Sequence, residues 1–292
     1  MKASIVIRTY NEQRHLPGVL QAIKAQAAAF AHETLVVDSG STDRTPQIAE
    51  EFGCRIVRIA REEFSFGRSL NMGCRAALGE CLVFVSGHCI PAGKDWLARL
   101  IEPLGRDSIV YTYGRQVGNG ESRFSECEIF GKYFPQESRI PQEGFFCNNA
   151  NAALLKRTWE EHPFDEALTG LEDMWLSKRL VAHGMKVGYV AEAPVYHLHD
   201  ETWAQIRRRF EREAIALQHI MPEIHVSFAD FLRYFVSAVL LDCGSAMQAN
   251  LFRRKAQEIF LYRLMQFWGA YRGNQFQREI SRARKEKYFY PR

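Results

Sequence analysis

Short β-branched runs alternate with stretches of helical spacing through the first 115 residues, and this alternation constrains the fold more than any other feature of the chain. Apolar runs at 4–7, 34–37, 55–59, 81–85 and 109–113 read as strands, and 16–29, 45–52, 68–78 and 96–104 between them read as helices. Strand and helix in turn imply an α/β fold, a mostly parallel sheet with helices on both faces. Ligands of such sheets bind beyond the carboxyl ends of the strands. The polar segments after the runs are therefore the ones to read for function: Thr9-Tyr10-Asn11-Glu12, Asp38-Ser39-Gly40-Ser41-Thr42-Asp43 and Ser86-Gly87-His88.

Residues 118–147 lose the pattern, as a surface excursion or lid does. Periodicity resumes at 150–155, in a helix after Leu171 and in a strand at 186–190 that leads to His197-Leu198-His199. From Trp203 onward the pattern is helical. The expected organisation is a domain over 1–202, with a nucleotide-binding part at about 1–115 and an acceptor part at about 145–202, followed by a basic helical extension over 203–292.

Charge supports that division. Residues 203–292 hold 16 Lys+Arg against 8 Asp+Glu, whereas the preceding 202 hold 22 against 26. Arginines at 207, 208, 209 and 212, then 253, 254 and 272, read as a solvated helix face that attracts an anionic membrane surface or a lipid-diphosphate acceptor. Nucleic acid is excluded as a partner because no recognition signature accompanies the charge. Tyr262, Leu264, Met265, Phe267 and Trp268 read as packing or a homodimer surface. The apolar run 235–241 is far short of the ~20 residues a membrane span needs. Entry into a strand at Ser4 leaves no room for a secretory signal, and seven cysteines without regular spacing indicate reduced thiols. The expected location is cytoplasmic, peripheral on the inner face of the membrane.

Glu172-Asp173 stand at the mouth of an amphipathic helix just after Gly170-Leu171. Acids there are favoured by the exposed N–H groups and the positive end of a helix, so either can cap it or be aimed as a general base.

In order, Ile7-Arg8-Thr9-Tyr10-Asn11-Glu12, Val36-Val37-Asp38-Ser39-Gly40-Ser41-Thr42-Asp43, Asn71-Met72-Gly73 with Ala77-Leu78-Gly79-Glu80, and Glu172-Asp173 resemble the inverting glycosyltransferases of family 2. The likeness runs from about Ser4 to His199, and 64–73 resembles the branch of bacterial rhamnosyltransferases and related O-antigen or capsule enzymes. It implies the GT-A fold, a Rossmann-like α/β sheet, here with a helical carboxyl-terminal extension. It also implies transfer of a single hexosyl or deoxyhexosyl unit from a UDP- or dTDP-linked donor, with inversion, to a saccharide or lipid-linked acceptor of surface polysaccharide or glycoconjugate assembly.

The resemblance assigns Thr9, Tyr10, Asn11, Glu12, Asp38, Ser39, Arg68, Asn71, Ser86 and His88 to donor binding. Tyr10 can stack on a base and Arg68 can meet a diphosphate, while Asp43 caps the following helix. Asp173 is the base, with Glu172 in support; Asn148, Asn149 and Trp175 face the acceptor. Where the family carries Asp-x-Asp for ribose and a divalent metal, this chain reads Ser86-Gly87-His88. Either His88 holds Mn2+ or Mg2+ with His197 or His199, or His88 and Arg68 meet the leaving diphosphate without metal. The competing reading is a catalytically inactive sugar-nucleotide or glycan-binding protein on the same fold. A nucleotidyltransferase is excluded by the lack of a glycine-rich phosphate loop. Gln205-Ile206-Arg207-Arg208-Arg209-Phe210 resembles the Gln-x-x-Arg-Trp element of processive synthases, but Phe210 replaces the tryptophan, so processivity is not expected.

Overall fold

The computed structural model describes residues 3–289 and the side chains of 3–275. The chain runs β1 (Ala3–Thr9), α1 (Leu16–Lys24), β2 (His32–Asp38), α2 (Thr45–Glu51), β3 (Arg55–Arg58), α3 (Phe66–Ala76), β4 (Cys81–Ser86), β5 (Cys89–Pro91) and α4 (Trp96–Ile101). It continues through β6 (Ile109–Val117), α5 (Phe124–Tyr133), β7 (Asn151–Leu155), α6 (Lys156–Glu161), α7 (Glu172–Ala182) and β8 (Lys186–His197) to α8 (Trp203–Ile220), α9 (Phe228–Gln248) and α10 (Phe252–Phe289).

Among the described residues the strands form one sheet in the order β3-β2-β1-β4-β7-β6-β8-β5. The first four are parallel, β7 runs against β4 and β6, β6 and β8 are parallel, and β5 is antiparallel to β8. Helices cover the apolar faces, so β1 reads as an unbroken apolar run: Ile5, Val6 and Ile7 have no exposed surface. Each such side chain contributes roughly 1.5–3 kcal/mol relative to exposure. Helix α3 lies on this strand because Gly73 lets it; a Cβ there would sit 2.4 Å from Val6 Cγ1.

Three features differ from the sequence expectation. The segment 118–147 contains α5, whose apolar periodicity is diluted by Glu126, Glu128 and Lys132. Strand β5, three residues long, is too short to give a periodic signal. Strand β8 extends to His197 rather than stopping at 190, and so carries that histidine back to the sheet's upper rim opposite Cys89.

The chain divides into two compact units, one of residues 1–122, 130–168 and 172–199 and the other of 123–129, 169–171 and 200–292. The first contains the sheet. In the second, Thr202 and Ser227 open α8 and α9 through reciprocal capping boxes with Gln205 and Asp230. Asp242 of α9 and Arg263 of α10 form a buried bidentate pair at 2.7 and 2.7 Å. No helix among the described residues is long and apolar enough to cross a membrane.

The arginine face expected on α8 is largely internal instead. Arg209 makes a two-pronged bond to Glu201 and approaches Glu126 at 3.5 Å, and Arg207 pairs with Glu211 at 3.0 Å. Burial opposes the Arg209 charge, but Glu201 and Glu213 outweigh it and raise its pKa. Arg212 is half-buried; of the α8 set only Arg208 is exposed, with Arg253, Arg254 and Arg272 farther on. Tyr262 is buried, Phe267 lies against Tyr234 and Trp268 against Phe231, so these aromatics pack within their own unit. None of the seven cysteines is in a disulfide.

Candidate active site

Strand order places the site. From β1 the chain steps to one side to form β2 and β3, then returns to the other side as β4, so the carboxyl ends of β1 and β4 flank a topological switch point. Register aligns those ends, with Thr9 opposite Asp38 and Arg8 opposite Ser86. A cleft of about 150 Å³ opens there, lined by Arg8, Thr9, Tyr10 and Glu12 from β1 and its loop, Ser86 and His88 from β4, and Ser39, Phe64 and Phe66. A larger hollow of about 390 Å³ lies at the opposite end of the strands, beside Leu78, Glu80, Leu155 and Lys156, and holds none of the predicted residues.

Tyr10 is exposed at the rim with the Arg61 guanidinium 5.9 Å from its ring, as a stacking surface requires. Asn11 does different work. In the left-handed region at φ 56°, it donates its N–H to Ser41 Oγ and accepts the Thr42 N–H at 2.8 Å, which locks the β1 loop to the β2 loop. Asp38 is buried and turns into its own loop, accepting from the N–H groups of Gly40 and Ser41 at 3.2 and 3.1 Å. Asp43 accepts from the N–H groups of Thr45 and Gln13, bracing the start of α2.

Four predicted donor residues do not line the cleft: Asn11 and Asp38 brace the loops beside it, and Asn71 and Arg68 are engaged elsewhere. Asn71 is buried, with its amide fully used: Nδ2 donates to Phe164 O and Glu166 Oε1, and Oδ1 accepts from Trp159 Nε1 and the Phe164 N–H. It clasps α3 to the segment after α6, leaving no donor or acceptor for a sugar or ribose. Arg68 does not line the cleft either; its guanidinium pairs with Glu63 at 3.3 Å on the surface.

Arg8, which sequence reasoning gave no role, is the cation that lines the cleft. Its Nη1 donates to Glu172 Oε1 at 3.1 Å and its guanidinium lies 5.2 Å from the Phe66 ring. The signal was a charged residue near the carboxyl end of an otherwise apolar central strand. Glu172 is thus neutralised by Arg8, while Asp173 beside it is held differently. Asp173 Oδ2 accepts the Asn149 N–H and Oδ1 the Met174 N–H, each at 2.7 Å. Burial first, and the Glu172 charge second, push its pKa up to about 7 against the lowering pull of those two N–H groups and of Arg8. A carboxylate tuned there serves as a general base near neutrality. The backbone feature that introduces the helix is Leu171 in the left-handed region at φ 56°, not Gly170.

The predicted acceptor residues divide. Asn149 braces Asp173: its N–H binds that carboxylate and its Oδ1 accepts from Tyr111, while its Nδ2 is buried without a partner. Asn148 Oδ1 accepts from the Ala150 N–H and from Gln116 Nε2. Trp175 is half-buried on α7.

The three histidines do come together. Ring centroids lie 5.1 Å apart for His88 and His197, 5.4 Å for His88 and His199, and 4.1 Å for His197 and His199. Gly87 lets the turn after β4 come close to the end of β1 and its loop, since a Cβ there would lie 2.9 Å from Glu12 Cγ and 3.1 Å from Thr9 Cγ2. The network fixes one tautomer: the Ala150 N–H orients Asn148 Oδ1, which orients the Gln116 amide, whose Oε1 faces His197 Nδ1 at 2.6 Å. His197 Nδ1 therefore carries a proton, and the lone pair of the neutral ring lies on Nε2. His88 Nδ1 is held by Glu12 Oε1 at 2.6 Å. Imidazoles oriented by a carboxylate and an amide oxygen have the outer-shell support found at metal sites, so this donor set fits a divalent ion. Ligand atoms of His88, Cys89 and His197 all lie within 4.8 Å of one another, but burial raises the Cys89 thiol pKa and disfavours a thiolate.

A mixed sheet with its cleft at a switch point of the parallel half, an acid pair at a helix mouth and a basic side chain between them define a transferase-like α/β site. The sequence pattern of Glycosyl transferase family 2 matches residues 4–162, and the chain belongs to that family. It is 29% identical over 226 residues to the O-antigen chain rhamnosyltransferase RfbN of Salmonella typhimurium, an alignment covering 73% of this chain and 70% of that protein. With the O-antigen chain rhamnosyltransferase WbaN of Salmonella anatum it shares 25% identity over 61% of this chain and 60% of the relative. The mannosyltransferase PcManGT of Pyrobaculum calidifontis, solved with GDP-Man and Mn2+, superposes with a TM-score of 0.62 over 99% of this chain and 87% of that one at 17% identity. S. aureus TarS 1-349 in complex with UDP-GlcNAc gives 0.55 over 96% and 92% at 14% identity. The fold is GT-A.

Proposed function

We propose that this glycosyltransferase transfers a single hexosyl or deoxyhexosyl unit, in the manner of the rhamnosyltransferases it resembles, from a UDP- or dTDP-linked donor to a saccharide or lipid-linked acceptor during surface polysaccharide assembly. The observation that carries the reading is Asp173: a buried carboxylate poised near neutrality, adjacent to the Glu172–Arg8 pair that reaches into the cleft. The nucleotide part is residues 1–115, with the base on Tyr10 and Ser39 and the diphosphate toward Arg8, Ser86 and His88. The acceptor part is 145–202.

In the reaction the acceptor hydroxyl oxygen attacks the anomeric carbon from the face opposite the leaving group. Its proton passes to Asp173, the anomeric C–O bond breaks, and the bonding pair leaves with the nucleoside diphosphate, inverting the centre. Arg8 holds Glu172 and places positive charge where the diphosphate departs. His88 and His197 are the residues that would hold a divalent cation, which supplies further positive charge to the diphosphate.

A thermal-shift panel of nucleotides and nucleotide sugars tests the donor assignment. UDP- or dTDP-sugars are expected to raise the melting temperature, because a ligand that binds only the folded state stabilises it by mass action, about 2.7 kcal/mol at a hundredfold excess over Kd. Mn2+ alone is expected to give a smaller rise that His88→Ala removes. A panel in which no nucleotide shifts the melt overturns the donor reading.

A further inference from the structure

Helix α9, FADFLRYFVSAVLLDCGSAMQ, is apolar on nearly all sides, and a helix of that kind has to be covered on all sides. Only part of it is. Phe231, Asp242 and Ala246 face inward, with Phe231 against Trp268 and Asp242 on Arg263. The helical row Phe228, Leu232, Val236 and Leu240 is exposed, and Leu240 and the adjoining Leu241 reach 67% and 72%. Met247 at the far end is exposed too. Scattered surface leucines need no account, but a continuous row of this length marks an interaction surface.

Charge chooses the occupant. Arg233 stands on the same helix, and Arg253 and Arg254 follow the turn into α10, exposed and with no acidic partner among the described residues. The hairpin's acids with described side chains are engaged: Asp230 caps α9 through Ser227 and lies 3.8 Å from Arg233, Asp242 is buried on Arg263, and Glu258 accepts from the Phe124 N–H and Lys255. A second copy laid antiparallel would set Arg233 against Arg253 and Arg254, and a parallel copy would set like on like. A bilayer with anionic headgroups satisfies both the apolar row and the flanking cations. No helix among the described residues is long and apolar enough to span, and a contact in the plane of the interface is the one these helices can make.

We infer that the α9–α10 hairpin docks on an anionic lipid surface, with Leu240 and Leu241 at the headgroup–acyl boundary and Arg233, Arg253 and Arg254 on the headgroups. This stands independently of the donor and acceptor proposed above.

Co-sedimentation of the full chain with vesicles tests it. Binding is expected to phosphatidylcholine vesicles containing phosphatidylglycerol, and on the order of tenfold weaker to phosphatidylcholine alone. Leu240→Asp with Leu241→Asp should abolish binding, and Arg253→Glu with Arg254→Glu should erase the preference for the anionic vesicles. Both double variants alter exposed side chains, so an unchanged melting temperature and unchanged nucleotide binding establish that they fold. Failure of the wild-type chain to bind anionic vesicles overturns the inference. So does a dimer in solution that the Leu240/Leu241 variant splits, which would assign the face to a second copy.

Discussion

Asp173→Asn is expected to lower the transfer rate by roughly 10²–10⁴-fold, the range attributed to a positioned general base, while leaving donor binding intact. Asparagine keeps the size of the side chain and one oxygen for the Asn149 or Met174 N–H, but it cannot take the acceptor's proton. The wild-type pH profile should show the same group. The base acts when deprotonated, so activity is expected to rise with pH along a limb centred near the value of about 7 to which burial and Glu172 push it. Stability runs the other way. The folded chain holds this proton more tightly than the unfolded one, whose carboxyl titrates near 3.8, so this group's contribution is present below that value and is lost as the pH rises through about 7. Single-turnover rates and isothermal titration with donor, measured from pH 5 to 9, separate the two effects. Transfer retained at the wild-type rate in Asp173→Asn would remove the base assignment.

Asn71→Ala is expected to destabilise the sheet-bearing unit by about 3–5 kcal/mol, because it strips four hydrogen bonds from one buried amide. The Trp159 indole N–H and both backbone groups of Phe164 would be left without their partner in the interior. A change of that size lowers the melting temperature by roughly 6–15 °C for a unit of this length. Thermal and urea denaturation read it directly. Nucleotide affinity of the surviving folded protein should be unchanged, since the amide has nothing to offer a ligand. A melting temperature near wild type, with weakened donor binding, would return Asn71 to the donor site.

The contrast between these two residues shows what was legible in the sequence. The position of Asp173 was legible because acids at the mouth of a helix have a local signature, and its chain neighbours Glu172 and Met174 contribute to its surroundings. Asn71 sits in an equally recognisable motif, yet that motif serves packing: Gly73 admits the sheet and Asn71 ties down a segment ninety residues away. No local pattern separates those outcomes. Arg68 and the α8 arginines illustrate the same limit, since composition counts charges but not the acids that tertiary structure brings to them. Gln116 had no signal at all. Its place arises from a chain of hydrogen bonds, Ala150 to Asn148 to Gln116 to His197, which joins three stretches distant in sequence. Strands β1, β2 and β4 were readable because parallel strands buried on both faces leave apolar runs, whereas β5 and α5 lacked either length or contrast.

The 2.6 Å contact between Glu12 and His88 fastens the loop after β1 to the turn after β4. An acid placed at 88 by itself would set two carboxylates together where one now meets an imidazole. Exchange of His88 alone for aspartate is therefore expected to loosen that fastening, so that the two positions have to be altered as a pair if the rim of the cleft is to keep its shape.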